Sequence, residues 1–513
     1  MTDPHPPTPH DREVVDADAL PDRAAALLAA GHRVALVAGH DDRATGAGLR
    51  AVYLFTRAAA VEAPESRVEL HVRLDPERPR VPSLAGLSFP AGRFEREMRD
   101  LFGIVPVDHP LPRRLVRHFH WPRHWYPMLS DAGPPPRFGD VDGPYPFRTV
   151  EGPGVYEIPV GPVHAGLIEP GHFRFSVVGE TVLNLKARLW FVHRGVEKLF
   201  QGRTPAEGVE LAERISGDTS VGHTVAYCRA VEDALGTPVT ADVARRRAVL
   251  LELERLYNHV TDIGALCNDV AHGIRNAHAQ RLRERLLRIN DRVTGHRLLR
   301  GAIRPGAAVL RALPDPVELA GIAADAAGIV AGALGHSVVR DRFAGTGVLT
   351  ATQAGDIGVL GYVARASGVA CDARHDHPWT VAPPPAHRDH TGGDVLARFV
   401  VRAEEIAESV GLIGTLVADL DGDPAGDPAG DPTGPTMPTP AAQASGVGIV
   451  EGWRGTVVHR VELGADGRVS RVKVVDPSFL NWPALPVAMA DTIVPDFPLV
   501  NKSFNLSYAG NDL

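Results

Sequence analysis

Ala241-Asp-Val-Ala-Arg-Arg-Arg-Ala-Val-Leu-Leu-Glu-Leu-Glu-Arg-Leu-Tyr-Asn-His-Val-Thr-Asp-Ile-Gly-Ala-Leu266 reads as one long helix. Val249, Leu250, Leu253, Leu256, Val260 and Ile263 recur at helical spacing, with Glu and Arg between them. From residue 184 to about 300 the chain is predicted to be mostly helical, with a second such helix over 282–299. Further helices are expected over 317–335, 355–366 and 395–416. Strands are expected over 155–160 and 172–178 on one side. On the other side, 447–450, 456–463 and 471–475 read as a closing sheet with a turn at 464–467. Upstream, a helix over 19–30, strands over 34–38, 49–56 and 68–74, and a helix over 93–102 alternate. The fold class is therefore α+β, with a small N-terminal α+β domain joined to a large, mainly helical-bundle domain with flanking sheet.

The expected organisation is a disordered tail over 1–16, the small domain over 17–125, a linker over 126–150 and the large domain over 151–513. The linker rests on Pro127, Pro134, Pro135, Pro136, Pro144 and Pro146, which block regular structure. Within 420–445 the Gly-Asp-Pro repeats cannot bury a core, and a flexible insertion is expected. Calcium binding there is disfavoured, because proline after each aspartate spoils the ligand spacing.

The 513 residues carry a net charge of -8, which gives no footprint for nucleic acid. The lysines are Lys186, Lys198, Lys473 and Lys502, so arginine supplies nearly all basic charge. Cys228, Cys267 and Cys371 are far apart. They form no disulfide framework and are too few for the four thiolates an iron–sulfur cluster usually takes. The apolar run over 317–339 is Ala- and Gly-rich and carries Glu318 and Asp325, so a packed small-residue helix is expected rather than a membrane span. No basic-then-apolar signal opens the chain. Gly345-Thr-Gly347 lacks the strand–turn–helix context of a dinucleotide site. Arg245-Arg-Arg247 reads as a solvated or interface face. Cys371, His375 and His377 have ligand types that suit zinc, against a structural role for the stretch.

Several separate motifs point one way. Phe94-Glu-Arg-Glu-Met-Arg-Asp-Leu-Phe-Gly103 with His109-Pro-Leu-Pro-Arg-Arg-Leu115 resembles the smaller hydrophilic subunit beside the quinone site of complex I. Gly161-Pro-Val-His-Ala-Gly-Leu-Ile-Glu-Pro-Gly-His-Phe-Arg-Phe175 resembles a strand–loop–strand of membrane-bound [NiFe] hydrogenase large subunits and the related complex I core subunit. Leu189-Trp-Phe-Val-His-Arg-Gly-Val-Glu-Lys-Leu199, the 251–264 helix and the Ala364-Arg-Ala-Ser-Gly motif are similar to the same family. The order resembles fused proteins of the formate hydrogenlyase large-subunit type. The resemblance covers most of residues 90–513.

The departures bear on function. Glu213-Arg-Ile-Ser-Gly-Asp-Thr-Ser-Val-Gly-His223 and Asn505-Leu-Ser-Tyr-Ala-Gly-Asn-Asp-Leu513 match the two segments that hold nickel and iron in that family. Ser216, Thr219, Ser507 and Gly510 stand at the four cysteine positions. Hydroxyls stay protonated at neutral pH and do not replace thiolates at a soft metal, so no metal is expected there. The resemblance implies that Glu169 is a proton-transfer residue in a shielded cleft. It also implies that His164 or His172 faces an acceptor, and that Asp218 and His223 line the opposing wall. Arg214 is expected to orient its loop by pairing with a carboxylate.

The implied function is a peripheral-arm subunit of a membrane-bound, complex I-like oxidoreductase that has lost the nickel–iron site. Electrons would pass from an iron–sulfur subunit to a quinone or other small acceptor, with proton coupling. The chain alone would bind no cofactor. It would sit on the cytoplasmic face of the membrane through that subunit and membrane-arm partners. Two rivals are a non-catalytic scaffold or coupling subunit, marked by a pocket plugged by Tyr508, Phe504 or the C-terminus, and a hydrogenase using a different metal.

Overall fold

The computed structural model describes residues 10–60, 64–165, 168–380, 389–420 and 437–513. The N-terminal sheet has strand order β1–β4–β3–β2: β1 (His10–Val14), β2 (Arg33–Asp41), β3 (Leu49–Arg57) and β4 (Ser66–Leu74). β1 runs parallel to β4 and the other pairs are antiparallel. The disordered tail expected over 1–16 is thus corrected over 10–16. His10 reaches Glu69 (3.4 Å) and Asp233 (3.8 Å), and Arg12 donates to the Ser445 carbonyl, so β1 is held from both sides. Residues 1–9 lie outside the described residues.

Helices α1 (Leu20–Ala29) and α2 (Phe89–Phe102) accompany this sheet. α2 starts where Ser88 caps the Ala91 N–H and stops at Gly103, whose φ of 73° ends the helix. Residues 126–150 contain no regular helix or strand. The insertion expected over 420–445 falls mainly outside the described residues, and its last two residues already belong to the strand Ala444–Gly452.

The large domain is built on Ser220–Leu235, Ala241–Asp269, Gly273–Thr294, Pro316–Leu334 and Val395–Ala418. Ala241–Asp269 buries most of its length, which explains why its apolar pattern is so clear. Ser220–Leu235 lies directly on the strand Ala444–Gly452 of a three-stranded antiparallel sheet, completed by Gly455–Leu463 and Val469–Val475. Gly448 permits this contact: a Cβ there would meet the Ala226 carbonyl oxygen at 1.9 Å.

Three expectations about helices also fail. Thr181–Arg188 is a strand paired with His172–Val178, not the start of the helical region. The helix expected over 355–366 is two, Ala351–Ile357 and Gly361–Ala366, separated where Gly358 and Gly361 take positive φ. Pro316–Leu334 is not tightly packed: only 28% of its most apolar window is buried, through Leu319, Ile322, Ala326, Ile329 and Ala333. By length and composition it is the one helix among the described residues that meets the size of a membrane span.

Buried ion pairs join the two halves. Arg460 pairs with Glu69 of β4 at 2.7 Å and with Glu462 at 2.7 Å. Lys473 pairs with Glu97 of α2 at 2.7 Å and with Glu197 at 3.1 Å. Arg247 of the basic run is likewise buried against Glu232, correcting its reading as a solvated or interface face.

Candidate functional site

Two loops meet at the positions singled out in the sequence. The first, Glu213–Thr219, leads into Ser220–Leu235. The opening N–H groups of that helix, on Val221 and Gly222, donate to the Glu254 carboxylate at 2.7 and 3.0 Å, which anchors the loop to Ala241–Asp269. The second follows Phe497–Phe504, which ends at Asn505 in the left-handed region, φ 41°. Ser507 then caps Tyr508–Asp512 by accepting from the Gly510 N–H at 2.9 Å. Arg194 stitches the loops together, donating to the carbonyls of Arg214 (2.9 Å), Ile215 (2.6 Å) and Ala509 (3.4 Å).

At the meeting point Ser216 Oγ and Ser507 Oγ are 2.8 Å apart. Ser216 gives its one hydroxyl proton to Asp218 Oδ1 at 2.9 Å, so Ser507 must donate to Ser216. Thr219 also donates to Asp218 Oδ1, at 3.0 Å, and accepts from Trp453 Nε1 at 3.1 Å. Arg454 grips both Asp218 oxygens, at 2.6 and 2.7 Å, in a bidentate fork. Burial alone would raise the Asp218 pKa, but the Arg454 guanidinium outweighs it and holds the carboxyl below its ordinary range. The Asp218 side chain keeps 39% of its surface exposed, whereas Ser216 and Ser507 are buried. Each of these hydroxyl hydrogens is committed. What the group offers outward is therefore the Asp218 carboxylate, an acceptor of hydrogen bonds.

Gly510 contributes no ligand atom, and its place is taken. A Cβ on Gly510 would stand 2.5 Å from the Asp476 carboxylate. Asp476 Oδ2 accepts from His223 Nε2 at 3.0 Å, and His223 Nδ1 lies 3.0 Å from His459 Nε2. All three side chains are buried, and His459 Nδ1 has no partner. Burial, then the neighbouring His223, hold the His459 pKa well below its ordinary value. His223 Nε2 donates to the Asp476 carboxylate, and its Nδ1 shares a hydrogen bond with His459 Nε2, so the three side chains form one buried chain. His223 therefore belongs to a buried relay, not to the wall of an acceptor pocket.

The other predicted residues are spread further. Glu169 is exposed and accepts from the Ala509 N–H at 3.0 Å, so it adjoins the Ser507 turn but not a shielded cleft. His164 and His172 each use one ring nitrogen to close their own hairpin, on the Gly171 carbonyl (2.8 Å) and the Gly161 carbonyl (3.1 Å). Tyr508 packs into the same hairpin, where a Cβ on Gly171 would meet its ring at 2.5 Å. Arg214 is exposed, 3.3 Å from the Glu210 carboxylate, and does not join the group. Cys371 and His377 diverge, the first accepting from Arg33 and the second facing Glu65 at 2.8 Å, so the zinc spacing does not converge. Sequence reasoning misses Asp476, His459, Trp453 and Arg454. The one available signal is charge and imidazole inside strands and turns that otherwise read as apolar.

Two family models match the chain: the 30 Kd subunit of respiratory-chain NADH dehydrogenase over residues 14–136, and the 49 Kd subunit over residues 269–512. Formate hydrogenlyase subunit 5 of Escherichia coli is 29% identical over 87% of this chain and 79% of its own length. Carbon monoxide-induced hydrogenase of Rhodospirillum rubrum is 31% identical over 68% of this chain and 97% of its own. The chain belongs to the complex I 49 kDa subunit and hydrogenase large subunit-like family. Its fusion to a 30 kDa-type domain is shared with a fused NADH-quinone oxidoreductase subunit of Bacteroides thetaiotaomicron, 30% identical over 67% of this chain and 69% of that one. A subunit of the archaeal membrane-bound sulfane sulfur reductase has the same fold over 70% of this chain and 99% of its own, with a TM-score of 0.63 at 22% identity. Members of this family are subunits of membrane-bound respiratory complexes.

Proposed function

We propose that this chain is the peripheral-arm subunit of a membrane-bound, complex I-like oxidoreductase, and that it works without a nickel–iron centre. An iron–sulfur partner would exchange electrons with a quinone or similar small molecule at the face carrying Asp218 and Glu169. Both carboxylates are accessible there and are linked through the Ser507 turn. The reading rests on one observation: where four thiolates would be needed, two serines bond to each other, a threonine bonds to Asp218, and Asp476 fills the space beside Gly510. Hard oxygen donors whose protons are committed to one another do not suit a soft metal.

A scaffold reading is favoured by a different observation. Arg454 already neutralises Asp218, and Tyr508 fills the hairpin beneath Glu169. The test is the purified intact complex, with elemental nickel and quinone-linked turnover measured together. No stoichiometric nickel, and at least a tenfold fall in kcat for Asp218→Asn or Glu169→Gln with assembly intact, is the expected result. Full turnover in both variants points to the scaffold. One nickel per complex defeats the proposal.

A further inference from the structure

Residues 143–148 of the proline-rich segment form no helix or strand, yet they are tied down. Arg113 donates to the Pro146 carbonyl at 2.9 Å, and Arg114 donates to the Gly143 carbonyl at 3.0 Å. Pro146 turns the chain tightly, with the Phe147 N–H bonded to the Tyr145 carbonyl at 2.8 Å. The Tyr145 and Phe147 rings then stand side by side, 4.9 Å apart.

Both rings land on one face of the sheet formed by Val155–Val160, His172–Val178 and Thr181–Arg188. His172 and Arg188 are direct cross-strand partners, and Arg174 lies two residues beyond His172, so these three side chains share that face. The Tyr145 ring meets the guanidinium of Arg188 at 4.7 Å and that of Arg114 at 5.5 Å. The Phe147 ring meets Arg174 at 4.7 Å and the His172 ring at 5.7 Å. Arg188 makes no ion pair among the described residues; it donates to the carbonyls of Leu115, Val116 and Arg117, which leave its charge free to attract the ring.

This face is the root of the hairpin that carries Glu169. The chain leaves the sheet at Val160 and returns at His172, whose Nδ1 bonds the Gly161 carbonyl across the neck. Tyr508 packs on the hairpin at Gly171, and the 143–148 strap packs on it at His172. Glu169 reaches the Ala509 N–H from a hairpin held at these two points.

We propose that Tyr145 and Phe147 are positioning residues, a strap that fixes the hairpin so that Glu169 stays on the Ser507 turn. The proposal rests on the role given to Glu169 above. Its test is a mutant cycle in the intact complex. Tyr145→Ser with Phe147→Ser should lower quinone-linked kcat about tenfold with assembly intact, because small misplacements near the chemistry cost that much or more. Tyr145→Phe with Phe147→Tyr keeps both ring faces and should stay within about twofold of the unaltered complex. In a Glu169→Gln background the serine pair should cost at most about twofold more, since the strap acts through Glu169. Multiplying losses, an unaltered kcat in the serine pair, or no recovery in the aromatic pair overturns the proposal. Hydrogen exchange on the full chain gives a reading that needs no turnover. The Gly171 N–H, bonded to the Pro162 carbonyl at 3.2 Å, should exchange about tenfold faster in the serine pair. Unchanged exchange there also overturns the proposal. If Glu169→Gln leaves turnover whole, the role of Glu169 fails, and exchange at Gly171 alone decides the strap. If the serine pair does not assemble, Phe147→Leu, which keeps bulk and loses the ring, replaces it in both measurements.

Discussion

At the scale of residues, the site is a problem in fitting protons and atoms. Gly510 has no room for a side chain because Asp476 is already there, and Asp476 is there because it holds His223. Gly510→Ala should therefore cost about 2 kcal/mol by overpacking. Asp476→Ala alone should cost about as much, by leaving His223 without its acceptor. Adding Gly510→Ala to Asp476→Ala should then cost little, so the double-mutant cycle should show a coupling of about 1–2 kcal/mol in denaturant unfolding. Additive effects would mean that the carboxylate yields to the methyl group. Ser216, Thr219, Ser507 and Gly510 are legible in the sequence because they sit in local motifs. Asp476, His459 and Arg454 are not, because their partners are more than two hundred residues away along the chain.

At the scale of elements, periodicity explains both the successes and the errors. Val395–Ala418 announces itself through a buried stripe, and Ala241–Asp269, buried on all sides from Arg246 to Val260, through the helical spacing of its large apolar residues. Residues 184–188 read as helix because Leu185, Lys186, Ala187 and Arg188 are good helix formers; pairing with His172–Val178 overrides that preference. Helix α2 carries a measurable consequence of its burial. Glu95 turns inward to accept from Ser83 Oγ at 2.6 Å and the Leu84 N–H at 2.7 Å. Burial outweighs both bonds and pushes its pKa from 4.5 up to about 7. The folded chain then keeps a proton that the unfolded chain releases near its ordinary pKa. The stability from this group is complete at acidic pH and is lost as pH rises through about 7, a change of about 3 kcal/mol at most. Glu95→Gln should flatten that decline, about one proton's slope in unfolding free energy between pH 5 and about 7. An unchanged slope assigns it to another group.

At the scale of the whole molecule, the two halves are fastened by charge as well as by apolar contact. Composition shows that arginine dominates the basic residues, but not that Arg460 is buried between Glu69 and Glu462. Arg460→Met should cost about 3 kcal/mol, because Glu69 and Glu462 lose the guanidinium between them, although Glu69 keeps His71 and His10 and Glu462 keeps Arg50 and His40. Calorimetry should show the N-terminal half melting ahead of the rest. A single transition at the unaltered temperature would show that the apolar contacts suffice alone.

The carboxylate behind Gly510 also imposes an order on change. Any lineage or engineer adding a sulfur-bearing side chain at 510 meets an occupied space, so Asp476 must go first. Its departure leaves His223, and through it His459, without an anchor before the newcomer gives anything back. The intermediate is worse than either end. Swapping in four cysteines would therefore be insufficient, and a graft that changes residues 223, 459 and 476 together with them is the shortest route that avoids the penalty.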